Sequence, residues 1–249
     1  LLSSLFWSSY AYAGAGGGAA SGTACANGAT TLVGCAIGTS DTTYTITGDI
    51  TPADGVRGIA FTDSADNNNL TLFGNISTED AYGISLSSAD FNTINMTGNI
   101  TTTGNVANGL YLLSSDSNTT NLTGNITTAG SFANGLRLMY SDSNTTNLTG
   151  NISTTGDDAR GLWLFDSNSN TTTLTGNIST AGAGAHGMVL STSDSNTTLT
   201  GNITTTGYSA YGLILYDSES ITTTLTGNST TTGEDAYALW LFDSNSNTT

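Results

Sequence analysis

Apolar and polar residues alternate along most of the chain in short segments, and turn residues separate those segments. The unit at residues 125–150 reads NITTAGSFANGLRLMYSDSNTTNLTG. Two such patterns recur in it: the first pattern is L-T-G-N-I-T, which continues into the next unit, and the second pattern is A-x-G-L-x-L. Alternation with Thr, Ile and Leu is typical of β-strands, and no segment has the apolar period of a helix. The pattern therefore predicts an all-β chain.

The unit recurs in tandem. The glycine of a T-G-N-I motif, or of a near variant, returns at almost constant spacing, at Gly48, Gly74, Gly98, Gly124, Gly150, Gly176, Gly201 and Gly227. A strict period of this length predicts stacked coils, so we expect a parallel β-solenoid of about eight coils of about 26 residues. At ~3.3 Å per residue a coil has a perimeter of about 86 Å, which suits three short faces.

Parity predicts which side chains point inward. In the first pattern Leu122, Gly124 and Ile126 share a face, and in the second Leu136 and Leu138 do. Like residues then stack on like from coil to coil. We expect the alanines two positions before the second pattern's glycine to point into the same narrow core. They are Ala107, Ala133, Ala159, Ala185 and Ala210. A corner with positive φ is expected at Gly104, Gly130, Gly156, Gly182, Gly207 and Gly233.

The outward row of the first pattern is polar, as in Thr123, Asn125 and Thr127, or in Thr200, Asn202 and Thr204. The favoured interpretation is a ladder of Asn and Thr hydrogen bonds between coils. A flat hydroxyl array that binds ice or sugar is the alternative, which the Asn in the middle of the row weakens.

The outward row of the second pattern is largely apolar and aromatic. After Ser85 and Ser87 it contains Tyr111, Leu113, Arg137, Met139, Trp163, Phe165, Val189, Ser191, Ile214, Tyr216, Trp240 and Phe242. A contiguous stripe of this kind indicates an interface. Another rod, a loop of the same chain or a glycan could cover it, and protein–protein packing is favoured because aromatic anchors dominate such interfaces.

Acidic residues mark a third position in the coil. Weak Ca²⁺ candidates are Asp90, Asp116, Asp142 and Asp194. No Gly-rich calcium repeat accompanies them, so a solvated turn in which Asp, Ser and Asn cap their own backbone is the favoured interpretation.

Charge narrows the function further. The net charge is −16, with no Lys, one His and three Arg, which disfavours nucleic acid and anionic membranes as partners. His186 stands alone in the sequence, and no nucleophile, phosphate-binding or zinc motif is present. We therefore expect neither an enzyme nor a cofactor, and no stretch is long enough for a membrane-spanning helix.

Residues 1–46 differ from the repeats at 47–249. Residues 1–22 combine LLSSLFWSSYAYA with a Gly/Ala-rich spacer, and they fit either a signal-peptide remnant or an apolar cap that stays on the protein. In the region 23–46, Cys25 and Cys35 suggest one local disulfide of an exported protein, with two reduced buried thiols as the alternative.

Residues 115–140, SDSNTTNLTGNITTAGSFANGLRLMY, are similar to passenger repeats of bacterial autotransporters. The resemblance covers roughly residues 45–249. It implies a secreted, right-handed parallel β-helix at a Gram-negative cell surface, acting as an adhesin or surface structure. No translocator barrel follows the repeats in this sequence.

Two functions stay open at this stage. One is an adhesive passenger that presents a lateral face to a host or neighbouring cell, through a surface protein or a glycan. The other is a self-assembling subunit of an extracellular filament or sheath. An ice- or glycan-binding rod is the weaker third hypothesis.

Overall fold

The computed structural model describes residues 23–26, 28, 34–245 and 247–248, so the segment 1–22, predicted to be a leader or a cap, lies outside the described residues. The strands, in chain order, are β1 (Thr23–Ala24), β2 (Cys35–Ile37), β3 (Thr43–Thr47), β4 (Ile59–Phe61), β5 (Asn69–Phe73), β6 (Ile76–Thr78), β7 (Ile84–Ser87), β8 (Thr93–Thr97), β9 (Ile100–Thr102), β10 (Leu110–Leu113), β11 (Thr119–Thr123), β12 (Ile126–Thr128), β13 (Leu136–Met139), β14 (Thr145–Thr149), β15 (Ile152–Thr154), β16 (Leu162–Phe165), β17 (Thr171–Leu174), β18 (Ile178–Thr180), β19 (Met188–Ser191), β20 (Thr197–Thr200), β21 (Ile203–Thr205), β22 (Leu213–Tyr216), β23 (Thr222–Leu225), β24 (Ser229–Thr231) and β25 (Leu239–Phe242).

These strands form three parallel sheets that run the length of the rod. We name them the ten-stranded sheet (β1-β2-β4-β7-β10-β13-β16-β19-β22-β25), the eight-stranded sheet (β3-β5-β8-β11-β14-β17-β20-β23) and the seven-stranded sheet (β6-β9-β12-β15-β18-β21-β24). A regular coil passes through one strand of each, as β11, β12 and β13 do. The predicted all-β solenoid is confirmed, both in the number of its coils and in their length. Within the described residues, no helix is long and apolar enough to cross a membrane.

Identical or similar residues stack on one another inside the tube. Leu110 pairs with Leu136, which pairs with Leu162, so the core consists of columns of aliphatic side chains. Leu138 and Leu164 are fully buried in the adjacent column, and the predicted alanine column is buried as well. Because each coil covers the apolar face of the next, the short strands need no second layer.

The L-T-G-N-I-T pattern forms two strands, where a single strand was expected. β11 ends at Thr123 and β12 begins at Ile126, with a bend at Gly124, whose φ is 148°. A Cβ at Gly124 would lie 2.0 Å from the carbonyl oxygen of Gly98, so the close approach of two coils also requires glycine there. The outward row Thr123, Asn125, Thr127 therefore turns a corner and does not lie on one flat face.

The other corner glycines do not have the predicted positive φ. That conformation falls two residues later, for example at Phe132 with φ 58°, after Gly130. Gly130 is needed for a different reason, since a Cβ there would lie 1.9 Å from the carbonyl oxygen of Gly104. Equivalent residues with positive φ are Val106, Asp158, Ser209 and Asp235.

Polar ladders connect the coils at their corners. On the surface, Asn125 Oδ1 accepts the backbone N–H of Asn151 at 2.8 Å, as the predicted Asn ladder requires. A buried ladder was not foreseen: Asn144 Oδ1 accepts the N–H of Asn118 at 2.8 Å inside the corner before β11. Beside the alanine column, the buried hydroxyl of Thr128 donates to the carbonyl of Ala133 at 2.6 Å. These contacts satisfy backbone groups where strand pairing stops.

One irregular coil changes the predicted orientation of Thr200, which was expected to face outward. The unit that contains β20 is one residue shorter than its neighbours between Thr197 and Gly201, while β20 keeps the regular 26-residue pairing with β17 from Thr197 to Leu199. Thr200 consequently takes an inward position, 1% exposed, with a hydroxyl that has no hydrogen-bond partner.

A disulfide joins Cys25 and Cys35 at one end of the ten-stranded sheet. Cys35 lies in β2, and both cysteines belong to the buried core.

Candidate functional site

The aromatic stripe lies on the outside of the ten-stranded sheet, in two parallel rows that we call the outer stripe. Strand register fixes both rows, because every member pairs with its counterpart in the next coil. The first row is Tyr111, Arg137, Trp163, Val189, Ile214 and Trp240, and the second is Leu113, Met139, Phe165, Ser191, Tyr216 and Phe242.

Neighbouring side chains cover much of the outer stripe, so it is less open than the sequence predicted. Tyr111, Val189 and Ile214 are only 6%, 7% and 1% exposed. The other predicted stripe residues are half-buried, except Phe242 in the last strand, which is exposed. The stripe is therefore a row of side chains packed edge to edge, with a narrow accessible surface.

A third row, which sequence reasoning missed, flanks the stripe at the corner that precedes the ten-stranded sheet. Its members directly precede the glycines at this corner or, at Tyr237, the equivalent Ala238: Arg57, Tyr82, Asn108, Asn134, Arg160, His186, Tyr211 and Tyr237. We call it the corner row. Its rings contact the stripe, with Tyr82 4.9 Å from Tyr111 and Tyr211 5.2 Å from Trp240 between centroids. The recurring x-G before each strand was a signal that could have located it.

All three arginines of the chain lie on this face, stacked on aromatic rings. The Cζ atom of Arg137 is 5.4 Å from the ring centroid of Tyr111 and 4.3 Å from that of Trp163. Arg160 Cζ lies 4.2 Å from the Trp163 ring, and Arg57 Cζ lies 5.3 Å from that of Tyr82. Cation–π contacts of this kind hold guanidinium groups flat against the rings.

His186 belongs to the corner row and is held neutral there. Its Nδ1 accepts the backbone N–H of Tyr211 at 3.0 Å, and its ring stacks on Tyr211 at 5.1 Å with an interplanar angle of 2°. Burial, assisted by the charge of Arg160, lowers the pKa of His186 to about 3. Burial also raises the pKa of the Tyr211 hydroxyl. At neutral pH this part of the face therefore consists of uncharged rings beside Arg160.

The predicted calcium candidates line a different corner, where they act on the backbone. Asp90 Oδ1 accepts the N–H of Asp116, and Asp116 Oδ1 accepts that of Asp142, both at 2.7 Å. Asp194 Oδ1 accepts the N–H of Glu219 at the same distance. One carboxylate oxygen of each thus closes the turn of the adjacent coil. Among the described residues, no group of three or more His, Cys, Asp or Glu side chains is placed to hold a metal ion.

The interior contains a narrow cavity between the aliphatic columns and a column of buried threonines. Thr146, Thr172, Thr198 and Thr200 border it on one side. Its lining belongs to the core, so the candidate site is the outer stripe together with the corner row.

Residues 101–249, more than half of the chain, match the family model described as "Periplasmic copper-binding protein (NosD)". No curated protein and no solved structure matches the chain. The match covers coils that carry most of the outer stripe, and it names a family different from the autotransporter passengers that the repeats resemble. This match over more than half of the chain, together with the fold, shows that the chain belongs to the NosD family.

Proposed function

We propose that this protein is a non-catalytic, extracytoplasmic β-solenoid that binds a partner at the cell envelope or cell surface through the outer stripe and corner row. The observation that carries the proposal is the contrast between faces. Thr, Ser and Asn dominate the outer rows of the eight- and seven-stranded sheets. The ten-stranded sheet and the corner that precedes it instead present stacked aromatic rings and all the arginines of the chain.

An extracytoplasmic location is supported by two independent features. Disulfides persist in oxidising compartments, and the two cysteines of this chain form a disulfide. The family it belongs to is described as periplasmic. In its more specific form, the proposal places the protein at the cell surface, as in autotransporter passengers.

Adhesion is favoured over side-by-side assembly into a filament. Rods of net charge −16 repel one another, and this repulsion opposes lateral packing of identical copies. A partner of different charge encounters no such barrier.

Copper is not included in the proposal, although the family description names it. Proteins bind copper through imidazole, thiolate and thioether groups. The two cysteines are oxidised, Met96 and Met188 are 2% and 1% exposed in the core, and His186 already uses Nδ1 as an acceptor. With one His, two Cys and three Met in the whole chain, these residues do not fit a copper site.

The test is binding of the purified, fluorescently labelled rod to intact Gram-negative cells. We expect replacement of Trp163 and Phe165 by Ser to weaken the apparent affinity about thirtyfold, since truncation of two aromatic anchors costs about 1 kcal/mol each. Replacement of Thr127 and Ser153 by Ala, on the seven-stranded sheet, is the matched control. Both double variants should keep the parent's circular dichroism spectrum. Equal binding by the two double variants and the parent would show that the stripe is not the binding face.

A further inference from the structure

The acidic residues of this chain are concentrated beside one face of the rod. Of the nineteen Asp and Glu residues, all except Asp49 lie at the two corners that flank the ten-stranded sheet. Eleven lie at the corner that follows this sheet: Asp41, Asp63, Asp66, Asp90, Asp116, Asp142, Asp166, Asp194, Asp217, Glu219 and Asp243. Seven lie at the corner that precedes it: Asp54, Glu79, Asp80, Asp157, Asp158, Glu234 and Asp235. We call these two sets the acidic borders, and the outer stripe lies between them.

The hydrogen bonds of the corners do not by themselves require these charges. In the border after the sheet, Asp116 Oδ1 accepts the backbone N–H of Asp142 at 2.7 Å. At the corner between the eight- and seven-stranded sheets, Asn125 accepts the equivalent bond from Asn151 at 2.8 Å. Even within the acidic border, the amide oxygen of Asn168 accepts such a bond at 2.6 Å. Neutral amides are therefore sufficient for the fold, whereas carboxylates stacked at ~4.8 Å repel one another, and a cationic partner relieves that repulsion.

Both acidic borders reach solvent beside the stripe. Asp166 and Asp217 directly follow residues of the second stripe row, and both are exposed. On the opposite side Asp157 is exposed, and Asp158 is close enough to act electrostatically on Arg160. The arginines of the chain lie between the borders, stacked on rings. A partner's positive charges therefore fit at the two flanks of the stripe and not at its centre.

The stripe between the borders has the dimensions of one α-helix. Strand β16 has four residues, which makes the sheet about 13 Å wide there, and a helix with its side chains is about 10–12 Å wide. Along the rod axis, the strands from β10 to β25 extend about 24 Å at ~4.8 Å per coil, the length of about 16 helical residues. The apolar side of an amphipathic helix is itself a narrow stripe parallel to its axis. One helix laid along the rod thus covers the stripe and brings its flanks to the borders.

We infer that the outer stripe binds a basic amphipathic helix of a partner protein. The apolar side of the helix lies on the stripe, where Trp163 and Phe165 are the aromatic anchors, and Lys or Arg residues on its two flanks face the acidic borders. The net charge of −16 attracts such a helix and speeds its association. The same charge repels acidic peptides, acidic polysaccharides and nucleic acid.

This inference rests on the proposed function, because it names the partner of the same face, and it is tested separately. The probe is a synthetic peptide of about 18 residues, with leucines at helical spacing and lysines on both flanks. Its binding to the purified rod is measured by isothermal titration calorimetry at low salt. We expect it to bind at least about tenfold more tightly than a scrambled peptide of the same composition, and than a version with Glu in place of Lys. Higher salt should weaken the binding, because the charges at the borders are exposed.

Two variants of equal charge locate the binding. Asp166→Asn, Asp217→Asn removes two carboxylates from the border beside the stripe and should weaken peptide binding about fivefold, the scale of two exposed charge pairs. The matched control, Asp41→Asn, Asp49→Asn, removes the same charge elsewhere. Asp49 lies at the third corner, and Asp41 follows β2, which carries no aromatic residue. This control should bind the peptide as the parent does.

Three results would overturn the inference: equal binding of the scrambled peptide, equal binding of the Glu version, or equal losses in the two double aspartate variants, which would reduce the effect to net charge. If one of these is found while the Trp163, Phe165 double variant still loses cell binding, the basic helix is wrong and the proposed function stands. If that variant binds cells as the parent does, both are wrong.

Discussion

His186 shows that different residue types can occupy one position of a ladder when each accepts the same backbone hydrogen bond. In the corner row, the amide oxygens of Asn108 and Asn134 accept the backbone N–H of Asn134 and Arg160 at 2.8 and 2.9 Å. One coil after Arg160, the Nδ1 atom of His186 accepts from Tyr211 in the same way. Imidazole can accept there only while Nδ1 carries no proton, and the pKa near 3 keeps it so at neutral pH.

Acid should therefore destabilise the fold through His186. Between its unfolded pKa of 6.5 and its folded pKa of about 3, the unfolded chain binds the extra proton, so the free energy of unfolding decreases as pH falls. The slope from this residue reaches about 1.4 kcal/mol per pH unit. Urea denaturation of the parent and of His186→Asn at pH 7, 5 and 4 measures it. We expect the free energy of unfolding to decrease more steeply on acidification in the parent than in the variant. A difference between the two proteins that does not change with pH would contradict the assignment.

Residue identity alone did not reveal these tasks. The segment SNTTNLTGN contains three asparagines that perform different ones. Asn118 is buried at a corner, Asn121 faces outward within a strand, and Asn125 forms the exposed ladder. The sequence predicted the exposed ladder from its parity. It could not predict the buried one, because that task depends on which corner residues adopt positive φ, such as Ser117.

The strands show where the periodic pattern is sufficient and where it is not. Inward and outward positions were predictable, because side chains in a strand alternate. The bend at Gly124 was not, since Leu122, Gly124 and Ile126 keep the same parity through the corner. A sheet boundary that preserves parity gives no periodic signal. The number of faces had to come from the coil length instead.

The unit that contains β20 lacks one residue between Thr197 and Gly201. Its missing residue places Thr200 in the core with an unpaired hydroxyl, whereas the hydroxyl of buried Thr198 is 3.0 Å from that of Thr223. Valine has nearly the shape of threonine and removes the hydroxyl. We expect Thr200→Val to raise the free energy of unfolding by about 1 kcal/mol, and Thr198→Val to lower it by about the same amount. Chemical denaturation checks both, and stabilisation by Thr198→Val of equal size would contradict the argument from hydrogen bonding.

At the scale of the whole molecule, fold and binding face depend on different parts of the repeat. Inward columns, corner glycines and polar ladders recur from coil to coil, which is why the sequence predicted the solenoid. The outer stripe varies from coil to coil, from Ser85 through Arg137 and Trp163 to Trp240. The register of the outer stripe was predictable from the sequence. Its low exposure was not, because the rings that cover it come from the separate corner row. Variation at positions that the fold does not constrain is what makes this face the candidate for specific binding.

Because each coil pairs only with the coil before and the coil after, the rod should tolerate loss of one whole unit. Deletion of one complete unit, the segment 93–118, joins Asn92 to Thr119 and places β7 against β13, so Ile84 meets Leu136 in the same column. We expect a folded rod shorter by ~4.8 Å in small-angle scattering, with a β-type circular dichroism spectrum. Deletion of only half a unit, the segment 106–118, removes β10, interrupts the ten-stranded sheet and leaves β9 joined to β11 by a segment too short to pass that face, so that variant should lose cooperative thermal unfolding. If the whole-unit deletion unfolds the protein as well, its stability depends on more than contacts between neighbouring coils.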